Sequence, residues 1–271
     1  MESIKRFHQV LKTRKPIIAM AHLLPLPGSP LYDHASGMAG IKDAVARDVE
    51  ALQAGGVDAI MFGNEGDRPY VLRATPESVA AMTAVVAQLV SQVKIPFGVN
   101  YLWDPVASVG IAHATGAQFV REVFTGVYDS DMGLWAPDAA SAVRLRSALR
   151  EETLLFYNIN AEFASPVGNR SNKARAESAV FSSLADAVCV SGPMTGQAVE
   201  ASVLQEVKSV LPETPVIANT GVRIDNVEEI LSVADGVIIG TSLKIDGNTW
   251  NPVDPHRVER FMDKVRSLRG S

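Results

Sequence analysis

The sequence predicts a (β/α)8 TIM barrel, and three observations carry that expectation. Short apolar runs alternate with helical patterns along the whole chain, the order that favours a parallel sheet covered by helices. The last three runs, 187–192 (AVCVSG), 215–221 (PVIANTG) and 236–242 (GVIIGTS), are continuous in apolar residues. Runs of this kind suit strands buried on both faces. Each also ends in Gly, Ser, Thr or Asn, the residue types found at the tips of barrel strands seven and eight, where glycines let backbone N–H groups approach an anion. The 271 residues suit one barrel of about 250, and residues 1–271 are expected to form a single domain, with 1–15 as an N-terminal helix leading into it.

The elements follow in order. After the basic, amphipathic residues 1–15, strand candidates fall at 17–22, 59–63, 97–100, 119–124, 154–160, 187–192, 216–221 and 237–241. Val79, Met82, Val85, Val86, Leu89, Val90 and Val93 keep the i, i+3, i+4, i+7 rhythm of a helix, opened by Thr75 and Pro76 as cap and first residue. Asp225 three residues before Glu228 has the form of a capping box. Val258, Phe261, Met262, Val265 and Leu268 give the last helix one apolar stripe. Residues 23–38, with PLPGSP, and 125–137 exceed ordinary loop length, and both are expected at the barrel mouth, with Tyr128 and Trp135 closing over a ligand. A doubly wound open sheet shares the alternation. It would favour G-x-G-x-x-G after the first strand, where this chain has HLLPLPGSP.

Composition narrows the function classes. Hydrophobic residues make up 47% and charged residues 20%, as in globular proteins, and the net charge of −5 argues against a nucleic-acid surface. Cys189, in an apolar run, reads as a buried inert thiol. The N-terminus lacks an apolar signal region, and no segment reaches the roughly 18 apolar residues of a membrane span. A cytoplasmic homo-oligomer is expected, with the basic N-terminal stretch leaving peripheral membrane attachment open.

Chemistry in a barrel sits at the C-terminal strand ends. Glu122, in REVF, is the expected acid or base, because burial raises a carboxylate pKa toward neutrality. Strand alternation lets only one of Arg121 and Glu122 face the interior. His22 ends the first strand and is expected to act as base, acid or ligand, with Glu65 as a second carboxylate. Asn158 and Asn160, two apart, share a face; Asn158 is placed with the catalytic set and Asn160 with Asn100, Trp103 and Asn219 in substrate binding. Gly192, Gly221, Gly240, Thr241 and Ser242 are expected to hold phosphate, with Lys244 neutralising it. No lysine lies in a strand candidate, which counts against a Schiff-base aldolase. The five histidines are scattered without metal-ligand spacing, so no metal site is assigned. A divalent ion on His22 with Glu65 or Glu122 is the weaker alternative, and the sequence leaves the cofactor unassigned.

The strings AHLLPLPGSP, GGVDAIMFGNEGDRPY, FGVNYLWD, TGAQFVREVFTG, VSGPMTG and ADGVIIGTSLKIDGNTWNPVDPHRV together resemble the BtpA/SgcQ family over nearly the whole chain. That resemblance implies a phosphate-binding TIM-barrel group, with photosystem I biogenesis attributed to members in phototrophs and sugar-metabolism gene neighbourhoods to others. It also implies an acid at Gly63, Arg-Asn-Asp at Trp103, Asp104 and Pro105, and Asn at Glu122. After the fifth strand it implies an Asp with a downstream Lys-His, where this chain has Asn158, Glu162 and Phe163. These departures fall at strand tips, so a changed substrate or reaction is expected. The expected activity is acid/base proton transfer or bond cleavage on a phosphorylated sugar or sugar-derived metabolite, by an isomerase, lyase or hydrolase. The rival expectation is a non-catalytic assembly factor for membrane complexes.

Overall fold

The computed structural model describes residues 2–270. Eight parallel strands close into a barrel: β1 (Ile17–His22), β2 (Ala59–Gly63), β3 (Phe97–Asn100), β4 (Phe119–Glu122), β7 (Leu154–Asn158), β9 (Ala187–Val190), β10 (Val216–Ala218) and β11 (Gly236–Ile239). The strands pair in the order β1-β11-β10-β9-β7-β4-β3-β2. Three short strands, β5 (Tyr128–Ser130), β6 (Gly133–Trp135) and β8 (Ala164–Pro166), form a separate antiparallel sheet above β4 and β7. The expected TIM barrel is therefore the fold. Segment 125–137, read above as a loop, is instead a hairpin whose β5 also pairs with β8.

Strand periodicity separates two cores. Outward residues such as Ile17, Ala19, Ala21, Val99, Val120 and Leu155 pack under the helices α2 (Gly37–Gly55), α3 (Pro76–Leu89), α4 (Pro105–Thr115), α5 (Ala139–Ala148), α6 (Asn172–Phe181), α7 (Ala201–Val210), α8 (Val227–Val233) and α9 (Pro255–Arg269). Inward residues such as Ile18, Met61, Phe119, Phe156, Cys189 and Ile217 fill the barrel, so Cys189 is the buried thiol expected of it. The helix α1 (Glu2–Leu11) lays Phe7 and Leu11 on this second core. The Phe7 ring lies 5.6 Å from Phe156, which stacks on Phe119 at 5.0 Å.

Helix starts follow local chemistry. Asp104 caps α4 by accepting from Val106 N at 3.1 Å and Ala107 N at 2.9 Å, and Pro105 takes the first position, where a missing N–H costs nothing. Asp254 and Pro255 repeat the device at α9. The capping box at Asp225 does not form: Asn226 stands at the cap position, accepts from Arg223 N at 2.7 Å and donates to Gly221 O, while Asp225 pairs with the Arg223 side chain. Five strands also end earlier than expected, at Glu122, Asn158, Val190, Ala218 and Ile239, and beyond two of them a side chain takes a backbone N–H, as Glu122 Oε1 does for Val123. Thr220 Oγ1 likewise accepts from Gly192 N at 2.6 Å.

The aromatic contact at the base of the barrel predicts that Phe7→Ala costs about 3 to 5 kcal/mol of unfolding free energy in urea titration. The equivalent change at exposed Phe181 is expected to stay within roughly 0.5 kcal/mol.

Candidate functional site

Above the apolar barrel core, on a floor that includes Met20 and Ile238, lies a cavity of about 270 Å³ open to the mouth. Its wall holds His22, Glu65, Arg121, Glu122, Asn158 and Asn219, six polar side chains from the strand ends and the turns just beyond them. Arg121 and Glu122 both line it, against the expectation that only one would: Arg121 points inward in register, and Glu122 is the last residue of β4, where the pleat ends.

Glu122 is a clasp between two strand tips. Its Oε2 accepts from Asn100 Nδ2 at 2.9 Å and Trp103 N at 3.0 Å, and its Oε1 accepts from Val123 N at 2.9 Å. Burial, opposed by Arg121 and by these donors, pushes the Glu122 carboxyl up to about 7. Trp103 is held at φ 76°, a left-handed conformation that costs a bulky residue about 1 kcal/mol or more. Its ring meets Trp135 edge-on at 4.7 Å, and its indole Nε1 is buried without a partner. Trp135 and Tyr128 pack behind Trp103 and do not close over the cavity as expected of them. Asn100, expected to bind substrate, is fully buried as the partner of Glu122 and does not line the cavity.

The remaining amides divide in the same way. Asn158 and Asn219 both donate to Ser191 Oγ, at 2.8 and 2.7 Å, and both leave Oδ1 buried and unpaired. Asn160 does not share their face, because β7 has already ended: it brackets the backbone of Ser191, accepting from Ser191 N at 2.9 Å and donating to Ser191 O.

His22 Nε2 lies 3.4 Å from Glu65 Oε1, and the pair partitions this cavity from a smaller one of about 190 Å³. Burial, aided by the charge of Lys244, holds the imidazole down at about 3, so His22 is neutral at pH 7. Burial raises the Glu65 carboxyl, and its Oε2 has no partner. Gly63 makes the room, since a Cβ there would overlap the Glu65 carboxylate. Among the described residues no group of three His, Cys, Asp or Glu side chains is placed to hold a metal ion.

Beside His22, across the pairing of β1 with β11, the turns after β10 and β11 meet. Gly221, Gly240, Thr241 and Ser242 line the cavity together, joined by Arg223 and Arg257. Ser242 Oγ donates to Val222 O at 2.7 Å, binding one turn to the other, and the Thr241 and Thr249 hydroxyls pair at 2.7 Å. Gly221 sits at φ 63°, and a Cβ there would overlap the backbone of Ala198. Two expected members are absent from this group. Gly192 gives its N–H to Thr220, and Lys244 is buried in an ion pair with Asp48 at 2.7 Å. Lys244 therefore cross-links the loop after β11 to α2 and cannot also neutralise a ligand here.

The description "BtpA family" matches residues 13–267. The chain belongs to the BtpA family. It is 47% identical over 262 residues to the sgc region protein SgcQ of Escherichia coli K12, covering 96% of this chain and 98% of that one. It is 33% identical to the photosystem I biogenesis protein BtpA of Synechocystis, covering 95% and 90%. Among solved structures, native KDPGal superposes with a TM-score of 0.59 at 15% identity over 96% of this chain and 98% of that one. Tryptophan synthase from M. tuberculosis in its ligand-free TrpA-G66V form gives 0.60 at 15% over 98% and 97%. These likenesses carry the BtpA fold and not its chemistry.

The sequence by itself assigns no site role to Arg121, Arg223, Arg257, Tyr70 or Glu162, all of which line the cavity. Glu162 lines the cavity and accepts from Thr195 Oγ1 at 2.7 Å. Arg223 follows the expected phosphate glycine by two residues, a signal available in the chain. Arg257 comes from α9 and has none.

A raised carboxyl pKa in the fold means that the native state binds the proton more tightly than the unfolded chain. Stability from Glu122 is then full below about 4.5 and falls as pH rises through about 7. The urea midpoint is expected to fall between pH 5 and 8, and Glu122→Gln to flatten that slope. The same variant should cost about 1 to 3 kcal/mol at pH 5, because its amide turns a donor toward the N–H groups.

Proposed function

We propose that this BtpA-family barrel is an enzyme that binds a phosphorylated sugar or sugar-derived metabolite and moves a proton on it. The observation that carries the reading is the convergence, in one cavity, of two joined glycine turns flanked by arginines with buried polar atoms that no protein group satisfies. Buried polar atoms are ordinarily paired, so a polar ligand is their natural complement.

In this proposal the phosphate lies against the turns at Gly221 and at Gly240, Thr241 and Ser242, where backbone N–H groups approach it, with Arg223 and Arg257 beside it. Asn158 Oδ1 and Asn219 Oδ1 accept from sugar hydroxyls. Trp103 Nε1 donates to the sugar, and its ring covers one side. Glu65 carries the proton: its Oε2 is buried with no protein partner, whereas both oxygens of Glu122 already accept N–H donors. Geometry precedes pKa in choosing a base. His22, neutral beside Glu65, orients that carboxyl, and Glu122 positions Trp103. The biogenesis role named for the Synechocystis relative belongs to that protein, and no feature of this cavity requires it.

Thermal unfolding against aldose and ketose phosphates, each paired with its dephosphorylated form, tests the ligand class. A true ligand at a hundred times its Kd stabilises by about 2.7 kcal/mol, and only the phosphorylated member of a pair is expected to do so. Equal shifts by both members would remove the phosphate assignment. Proton transfer is read by NMR as deuterium uptake from D2O at a carbon of the bound compound. Glu65→Gln is expected to slow uptake by roughly 10² to 10⁴ with its melting temperature kept.

A further inference from the structure

Two cationic side chains are buried among the described residues, and they are treated differently by the fold. Lys244 has Asp48 at 2.7 Å. Arg121 is 7% exposed, lines the cavity, and has neither a hydrogen bond nor a carboxylate within ion-pair distance; its Nε is fully buried and unpartnered. A guanidinium does not neutralise itself by losing its proton. Burying one without a partner costs several kcal/mol, so the fold retains Arg121 at a standing expense of stability. Glu65, Glu122 and Glu162 feel its charge, yet burial outweighs that attraction at each of them. Among the described residues no carboxylate closes on the guanidinium.

The place of Arg121 decides what its partner is. It rises from β4, whereas the glycine turns and their arginines follow β10 and β11, on the far side of the strand order. A phosphate seated on those turns leaves the Arg121 fork to another part of the same molecule. The planar fork of a guanidinium matches a carboxylate, two N–H groups to two oxygens. We infer that Arg121 receives a second anionic group, a carboxylate, and that the ligand class is the phosphorylated sugar acid in preference to the neutral sugar phosphate. This inference rests on the phosphate reading above and adds to it the identity of the ligand's other end. Arg121 is then a specificity-determining residue, and Asn158 and Asn219 hold the hydroxyls between the two anionic groups.

The test is isothermal titration of the full chain with matched pairs of three, four and six carbons: glyceraldehyde 3-phosphate against 3-phosphoglycerate, erythrose 4-phosphate against 4-phosphoerythronate, and glucose 6-phosphate against 6-phosphogluconate. Glycerate, gluconate and inorganic phosphate are the unphosphorylated and sugar-free arms. The acid of at least one pair is expected to bind tenfold or more tightly than its aldehyde. Arg121→Met is expected to abolish that preference while leaving the affinity for the neutral sugar phosphate within about twofold, and Arg257→Met to weaken both members alike. Arg121→Met should also raise the melting temperature of the free protein, since an apolar side chain replaces an uncompensated charge. Should that variant fail to fold, Arg121→Lys, which keeps the charge and loses the fork, is expected to reduce the preference. Phosphate-dependent binding with no preference for the acid in any pair overturns this inference and leaves the phosphate reading standing. Absence of phosphate-dependent binding throughout overturns both, and a preference that survives in Arg121→Met assigns the carboxylate elsewhere.

Discussion

Closure of the sheet between β1 and β11 pairs Ile17 with Val237 and Ala19 with Ile239, so the first and last strands of the chain become neighbours. A closed sheet has no edge and no solvated inner face. Every inward side chain must then be packed by others or satisfied by hydrogen bonds. The lower part meets that demand with Ile18, Met61, Phe119 and Phe156, sealed from below by Phe7. The upper part meets it incompletely, with Arg121, Asn158, Asn219 and Glu65 at the strand ends.

The incompletely satisfied part is the cavity wall, and hydrogen bonds among neighbouring groups hold it in place. Glu122 draws together the β3 and β4 tips by accepting from Asn100, Trp103 and Val123. Ser191 is the corresponding centre for β7, β9 and the turn after β10, with Asn158 and Asn219 on its hydroxyl and Asn160 on its backbone. Ser242 binds the turns after β10 and β11 to each other. These positioning groups hold the unpaired atoms in place, the preorganisation that lets a site bind charge without rearranging.

Charge is arranged with the same economy. Lys244, although it belongs to the turn-bearing loop, is committed to Asp48 and to fastening that loop on α2. Arg223 and Arg257 pair with Asp225 and Asp254 outside the cavity, whereas Arg121 lines it with no ion-pair partner among the described residues. His22, neutral next to Glu65, adds a hydrogen-bonding group there and no charge.

Much of this was legible in the chain. Continuous apolar runs determined the eight strands, because burial on both faces leaves no polar position until the tip, and small residues at the last two tips located the turns after β10 and β11. Thr75 and Pro76 marked the start of α3, since a cap and a proline at the first helical position are local signals, whereas the capping box read at Asp225 did not form. What tertiary structure decided were contacts across the barrel and among its loops. Glu122 reads as a reactive acid until Asn100 and Trp103 arrive from another strand. Lys244 reads as a phosphate partner until Asp48, 196 positions earlier, claims it. Arg121 is one arginine among many in the sequence; only the closed barrel shows that no carboxylate of the described residues reaches it, because the absence of a partner is a property of every residue that packs around it.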